Sequence, residues 1–217
     1  MKTLFKILAI LCLLTLPVLV ALSQSMIPVG QSLLVGQVLT TVPSAGGGGV
    51  VATDNFTRAD AGTLGANWTM AGANSLSIVS SNAAGVGVVN QGDFWSANSF
   101  HNDQYSTITI NDVGGSHYAY AGVRLNSSFN GYILCCNYNS WSLQVFTAGS
   151  GAVIDSGLGT FNAGDVMKIS ITGTTIICTQ NGSVLTTKID STWTTGSAGV
   201  GGYGVLTISN WVGGNND

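Results

Sequence analysis

The chain contains no glutamate: all nine carboxylate side chains in its 217 residues are aspartates. This removes the usual equipment of a glycan-cleaving β-protein, which holds two carboxyl groups across one scissile bond. No close pair of aspartates takes their place, because the nearest acidic neighbours, Asp54 and Asp60, lie in a segment that reads as structural. Histidine is nearly missing too. His101 and His117 are the only two, and no Gly-x-Ser-x-Gly elbow accompanies them, so serine and cysteine nucleophiles have no visible base. The glycine run at 46–49 lacks the lysine that a phosphate-cradling loop needs.

Positive charge is equally scarce. Of six Lys and Arg residues, Lys2 and Lys6 belong to the N-terminal leader; Arg58, Arg124, Lys168 and Lys188 then face nine aspartates, a formal 4 − 9 = −5. Four isolated cations make no footprint for nucleic acid, nor for an acidic membrane surface. The surface must instead be covered by Ser, Thr, Asn and Gly, neutral groups that suit sugars and repetitive assemblies.

The leader sets the expected compartment. After Lys2 and Lys6 the chain is almost continuously apolar from Leu4 to Val20, and Ala21-Leu22-Ser23 supplies the small residues that a signal peptidase reads. The expectation is a signal peptide over 1–23, cleaved before Gln24, and a secreted product with no membrane contact thereafter. The alternative is an uncleaved anchor, since about 17 apolar residues just span a bilayer. Pro17 favours cleavage by breaking the helix near its end. Cys12 lacks the small neighbours of a lipoprotein site.

Residues 24–52 form a different material. Met26 to Val42 is apolar without a clean period, and it runs into Ser44-Ala45 and the glycines 46–49, which predict a flexible joint.

Three cysteines remain: Cys135, Cys136 and Cys178. An odd count allows one disulfide with a spare thiol, an intermolecular bridge, or no bridge. Neighbouring strand residues point to opposite faces, so Cys135 and Cys136 cannot both meet Cys178. No histidine stands at metal-ligand spacing from them, and small buried hydrophobes are the favoured reading.

From Thr53 onward, runs of Thr, Val, Ile and Tyr recur between Gly and Asn turns, and no helical period appears. Strands are expected near 76–80, 84–89, 105–111, 117–126, 131–138, 141–147, 152–156, 166–172, 174–180, 183–189, 197–203 and 205–212. Asn130-Gly131, Thr172-Gly173 and above all Asn181-Gly182 supply the positive φ angles of tight hairpins. A dozen short strands in one domain over 53–217 predict an all-β fold, a two-sheet antiparallel β-sandwich of jelly-roll type.

Asp54-Asn55-Phe56-Thr57-Arg58-Ala59-Asp60, then Leu64-Gly65 and Asn67-Trp68-Thr69, resemble the opening of laminin-G-like domains in the concanavalin A-like lectin/glucanase superfamily. Asp103-Gln104-Tyr105, Tyr120-Ala121-Gly122-Val123-Arg124, Gly131-Tyr132, Gly164-Asp165, Asn181-Gly182 and Ala198-Gly199-Val200-Gly201 follow in the family's order, so that the resemblance covers about 53–212. It implies a curved jelly roll that binds carbohydrate or protein outside the cell. The alternating Glu and Asp strand of the glucanase branch is missing.

Within the opening segment, Phe56 and Trp68 are expected as core anchors and Arg58 with Asp60 as an ion pair or a loop-fixing set of hydrogen bonds. A calcium site on Asp54 or Asp60 is conceivable, but nothing spells a calcium loop, and no cofactor is expected. Alternation places Ala119, Ala121, Val123 and Leu125 on one face and Tyr118, Tyr120, Gly122 and Arg124 on the other. Tyrosines beside an arginine can stack on a sugar ring and bond its hydroxyls. Tyr132 and Tyr138 on the next strand would extend this patch, with Trp95, His101 and Trp141 at its rim; the competing reading packs these aromatics under loops or in a second apolar layer. Sequons stand at Asn55, Asn67, Asn126 and Asn181, relevant only where the source glycosylates them.

The expected function is therefore a secreted, non-catalytic module that binds a glycan or a cell-surface protein through one sheet face. The alternatives are a self-assembling subunit of an extracellular filament, coat or phage-like appendage, and a divergent glycan hydrolase or lyase using aspartate alone.

Overall fold

A computed structural model describes residues 49–216. The leader, and the apolar segment and glycine joint as far as residue 48, lie outside the described residues. The described residues form two antiparallel sheets and contain no helix. The strands are β1 (Val51–Asp54), β2 (Trp68–Met70), β3 (Ser77–Val79), β4 (Asn82–Ala84), β5 (Asn90–Trp95), β6 (Gln104–Asp112), β7 (Tyr118–Leu125) and β8 (Gly131–Cys136). They continue with β9 (Ser140–Thr147), β10 (Ser150–Leu158), β11 (Val166–Thr172), β12 (Thr175–Gln180), β13 (Ser183–Ile189), β14 (Ser197–Tyr203) and β15 (Thr207–Asn215).

One sheet runs β13-β12-β11-β6-β15-β4-β3, with β1 also paired to β15; the other runs β10-β9-β8-β7-β14-β5-β2. This is the two-sheet all-β sandwich that the turn spacing predicts. β1 begins inside the segment assigned to the glycine joint, because Val51 and Ala52 already pair with Gly214 and Gly213.

Alternation builds the core. Ile108 and Ile110 of β6, Met167, Ile169 and Ile171 of β11, and Ile176 and Cys178 of β12 all point inward toward Ala119, Ala121 and Val123 of β7. At the centre Trp211 packs on Trp68 at 4.6 Å and on Trp95 at 5.3 Å between ring centroids. Its indole donates to Ser106 Oγ, which in turn donates to the Gly199 carbonyl, so this buried polar chain is closed.

The β12–β13 hairpin forms at Asn181-Gly182, both at positive φ (50° and 81°), with Gln180 opposite Ser183. The β11–β12 turn is shifted by one, to Gly173-Thr174, since Thr172 pairs with Thr175. The strand expected over 84–89 is corrected: β4 ends at Ala84, and Val86, Val88 and Val89 stand exposed on the connection to β5. Gln91 holds this connection with its side-chain amide, accepting from Val86 N–H and donating to Val86 C=O. The Arg58–Asp60 pair is corrected as well. Arg58 instead forks onto both oxygens of Asp54 at 2.7 and 2.9 Å, and Asp54 also accepts from Trp68 Nε1 and Phe56 N–H.

Asp93 is the buried acid of the sandwich, 2 % exposed, accepting from Ser75 Oγ at 2.6 Å and Leu76 N–H at 2.8 Å. Burial outweighs these bonds and lifts its pKa from the ordinary 3.8 to about 6. The protonated form is favoured in the fold, so this contribution is full below pH 3.8 and is lost as pH rises through about 6. Asp93→Asn should raise stability at pH 7 to 8, by at most about 3 kcal/mol, and leave it unchanged near pH 3.5. The amide fits, since it would donate to Ser75 Oγ, which already bonds the Leu76 carbonyl. Urea unfolding at the two pH values checks this, and an equal shift at both would refute the assignment.

Candidate functional site

The face of the seven-stranded sheet turned away from the core carries the site. Cross-strand register sets Tyr203 beside Tyr118 in one row, and Gly201, Tyr120, Cys135, Ser142 and Ser156 in the next. Gln144 follows on β9, opposite Ile133. Tyr118, Tyr120, Ser142, Gln144, Ser156 and Tyr203, with Cys135, Ser140, Trp141, Gly157 and Leu158, line an open groove of about 610 Å³. That is the size of a small-ligand site.

No charged side chain lines it. Tyr118 and Tyr203 stand half-buried with ring centroids 6.3 Å apart and planes at 61°. Tyr120 is buried, its hydroxyl donating to Asn90 Oδ1 at 2.9 Å while Asn90 Nδ2 donates to the Gly149 carbonyl. Burial raises the Tyr120 phenol well above its ordinary value and pushes the Cys135 thiol up to about 12, so the floor of the groove is neutral. Gln144 donates to Ser142 Oγ at 2.8 Å, fixing a hydroxyl and an amide side by side.

Trp141 turns its ring away from the groove. It packs inward, on the face of β9 opposite Ser142, and covers Gly157, where a Cβ would come within 2.8 Å of Nε1. The other four indoles bond acceptors: Asp54 for Trp68, Asn98 for Trp95, Phe146 C=O for Trp193 and Ser106 for Trp211.

Beyond the groove the same face is closed. Phe129, on the β7–β8 loop at φ 54°, lays its ring over Gly92, where a Cβ would come within 2.8 Å. It packs on Phe146 at 5.0 Å, with Leu125, Ile133 and Ala71 around it. This second apolar cluster explains why every residue of β8 is buried.

The structure brings Tyr118, Tyr120 and Trp141 of the expected patch together and separates the rest. Arg124 is corrected: its φ of 55° breaks the alternation, Leu125 takes the outer face, and the 2 %-exposed guanidinium turns into the loops at the sandwich end. There it donates to the carbonyls of Asn102, Trp193 and Gly173 at 3.0, 2.8 and 2.8 Å, with Asp103 at 3.7 Å. Tyr132 is corrected too. It pairs with Val123, so it faces the core, donating to Asp190 at 2.6 Å and accepting from Trp193 N–H; burial first, then Asp190, pushes its pKa up to about 12.

Trp95 belongs to the tryptophan core. Tyr138 is exposed on the β8–β9 connection, and His101 lies on the loop before β6, its N–H donating to Asn215; neither lines the groove. Tyr203, Ser142, Gln144 and Ser156 were missed, although Ser140-Trp141-Ser142-Leu143-Gln144-Val145 alternates polar and apolar. The three cysteines are free and buried, Cys135 under the groove and Cys136 and Cys178 in the core. Of the two aspartates at which calcium was conceivable, Asp54 is engaged by Arg58 and Trp68, and Asp60 accepts from Ser80 N–H.

Solved structures share this two-sheet jelly-roll fold, among them lectin, carbohydrate-binding and glucanase domains. The carbohydrate-binding module CBM66 from Bacillus subtilis superposes with TM-score 0.52 at 18% identity, over 66% of this chain and 91% of that one. The Emp47p carbohydrate recognition domain superposes with TM-score 0.53 at 11% identity, over 77% and 95%. A prokaryotic β-1,3-1,4-glucanase (lichenase) derived from a mouse hindgut metagenome gives 0.52 at 8% identity, over 77% and 100%. At such identities the likeness is one of fold. No family model and no curated protein matches the chain.

Proposed function

We propose that the protein is a secreted, non-catalytic glycan-binding module, laminin-G-like in kind, that uses the groove on its seven-stranded sheet. The observation that carries this is the lining: three tyrosines with serine and glutamine side chains, and no charge and no carboxyl group. Aromatic faces take up the apolar side of a pyranose or furanose ring, and neutral donors and acceptors take its hydroxyls. Hydrolysis by paired carboxyls needs two such groups about 5 to 10 Å apart across the ligand, and this groove supplies none. Neighbours of the same fold named as carbohydrate-binding or carbohydrate recognition domains favour the reading.

Binding of the secreted protein to neutral polysaccharides (mixed-linkage β-glucan, galactomannan, dextran) and acidic ones (alginate, polygalacturonate), with calcium and with chelator, tests it. A neutral glycan should bind, unchanged by chelation. Tyr118→Ala should weaken that binding at least about tenfold, about 1.4 kcal/mol, while shifting thermal unfolding little, because Tyr118 is only half-buried. Release of reducing sugar that one aspartate substitution abolishes would show an enzyme instead.

A further inference from the structure

Resting on this reading of the groove, we infer that its ligand is an uncharged polysaccharide bound along an internal stretch, which passes over Tyr203 into a second depression of the same face. Tyr203 lines both depressions. The second has a volume of about 650 Å³ and is assembled from four connections: Asn74 after β2, Val88 before β5, Ser127 and Ser128 after β7, and Gly149 between β9 and β10. It too is an open trough lined without charge.

Two features make it more than a gap between loops. Asn90 ties its wall to the groove floor, accepting from the Tyr120 hydroxyl and donating to the Gly149 carbonyl, so the saddle between the depressions is held from both sides. The buried Phe129 ring forms its base, over Gly72 and Gly92. Val88 is 74% exposed, and it and the exposed Ser128 both line this trough, an apolar contact and a hydroxyl of the kind a sugar ring uses. Each trough alone has the volume of a small-ligand site; joined end to end they exceed one, which suits a chain lying through both rather than a terminal residue held in one.

The test is a length series, from disaccharide to polymer, of mixed-linkage β-1,3-1,4-glucan, galactomannan and dextran. Affinity should rise with length beyond what the groove alone accommodates. Val88→Ala combined with Ser128→Ala should lower affinity for long chains about tenfold and leave the shortest binding oligosaccharide unchanged, whereas Tyr118→Ala lowers both. Both changed residues are exposed, so thermal unfolding should match the parent protein. Affinity that stays flat with length, equal polymer binding by the double variant, or preference for alginate or polygalacturonate would overturn the two-trough ligand while leaving the Tyr118 effect to support the groove. Absence of binding to every polysaccharide, neutral or acidic, would overturn the groove reading itself.

Discussion

Arg124→Ala should lower stability by about 3 kcal/mol or more and leave glycan affinity of the folded protein unchanged. Three part-buried carbonyls and the half-exposed Asp103 carboxylate share this one guanidinium. Each lost charge-assisted hydrogen bond costs about 1.5 to 3 kcal/mol. For a domain of this size the midpoint of thermal unfolding should fall by roughly 6 to 12 °C. Arg124→Lys keeps the charge but not the three-way fork and should fall between. Arg124→Gly should be somewhat better than Ala, because φ 55° strains any residue with a Cβ. Calorimetry and a binding isotherm on the same samples decide the matter. A loss of binding with little loss of stability would return Arg124 to the ligand face.

Trp211→Ala should be the most damaging single truncation, costing about 3 to 5 kcal/mol, roughly 6 to 20 °C in the unfolding midpoint. The side chain is fully buried, and it packs on both of the other central tryptophans. Its removal leaves a large cavity between the sheets and takes the indole donor from Ser106. Trp211→Phe should recover part of the loss by refilling the space. Denaturant unfolding measures both, and a cost below about 1 kcal/mol for the alanine would mean the core closes around the gap.

The outline of the fold was legible because it rests on local rules. Asn181-Gly182 dictates its hairpin, and strict alternation in β6 and β11 announces which side faces the core. The site was half legible for the same reason. Tyr118 and Tyr120 follow the alternation, but Arg124 leaves it through one positive φ that no periodicity reports. Tyr132 was placed by counting along β8 alone, whereas its facing is set by pairing with Val123. The Phe129 cover escaped notice because it depends on Gly92, more than thirty positions earlier, offering a bare backbone to an aromatic ring. The 84–89 run looks like a strand by composition, yet the Gln91 amide claims Val86 and holds the segment as a loop.

The pairing of β1 with β15 places the start and finish of the sandwich side by side, with Asn215 N–H bonded to the Val50 carbonyl. Both lie on the eight-stranded sheet, opposite the Tyr118 groove. Spliced into an exposed loop of a host protein, the sandwich should drop in as a cassette without prying the host's loop ends apart.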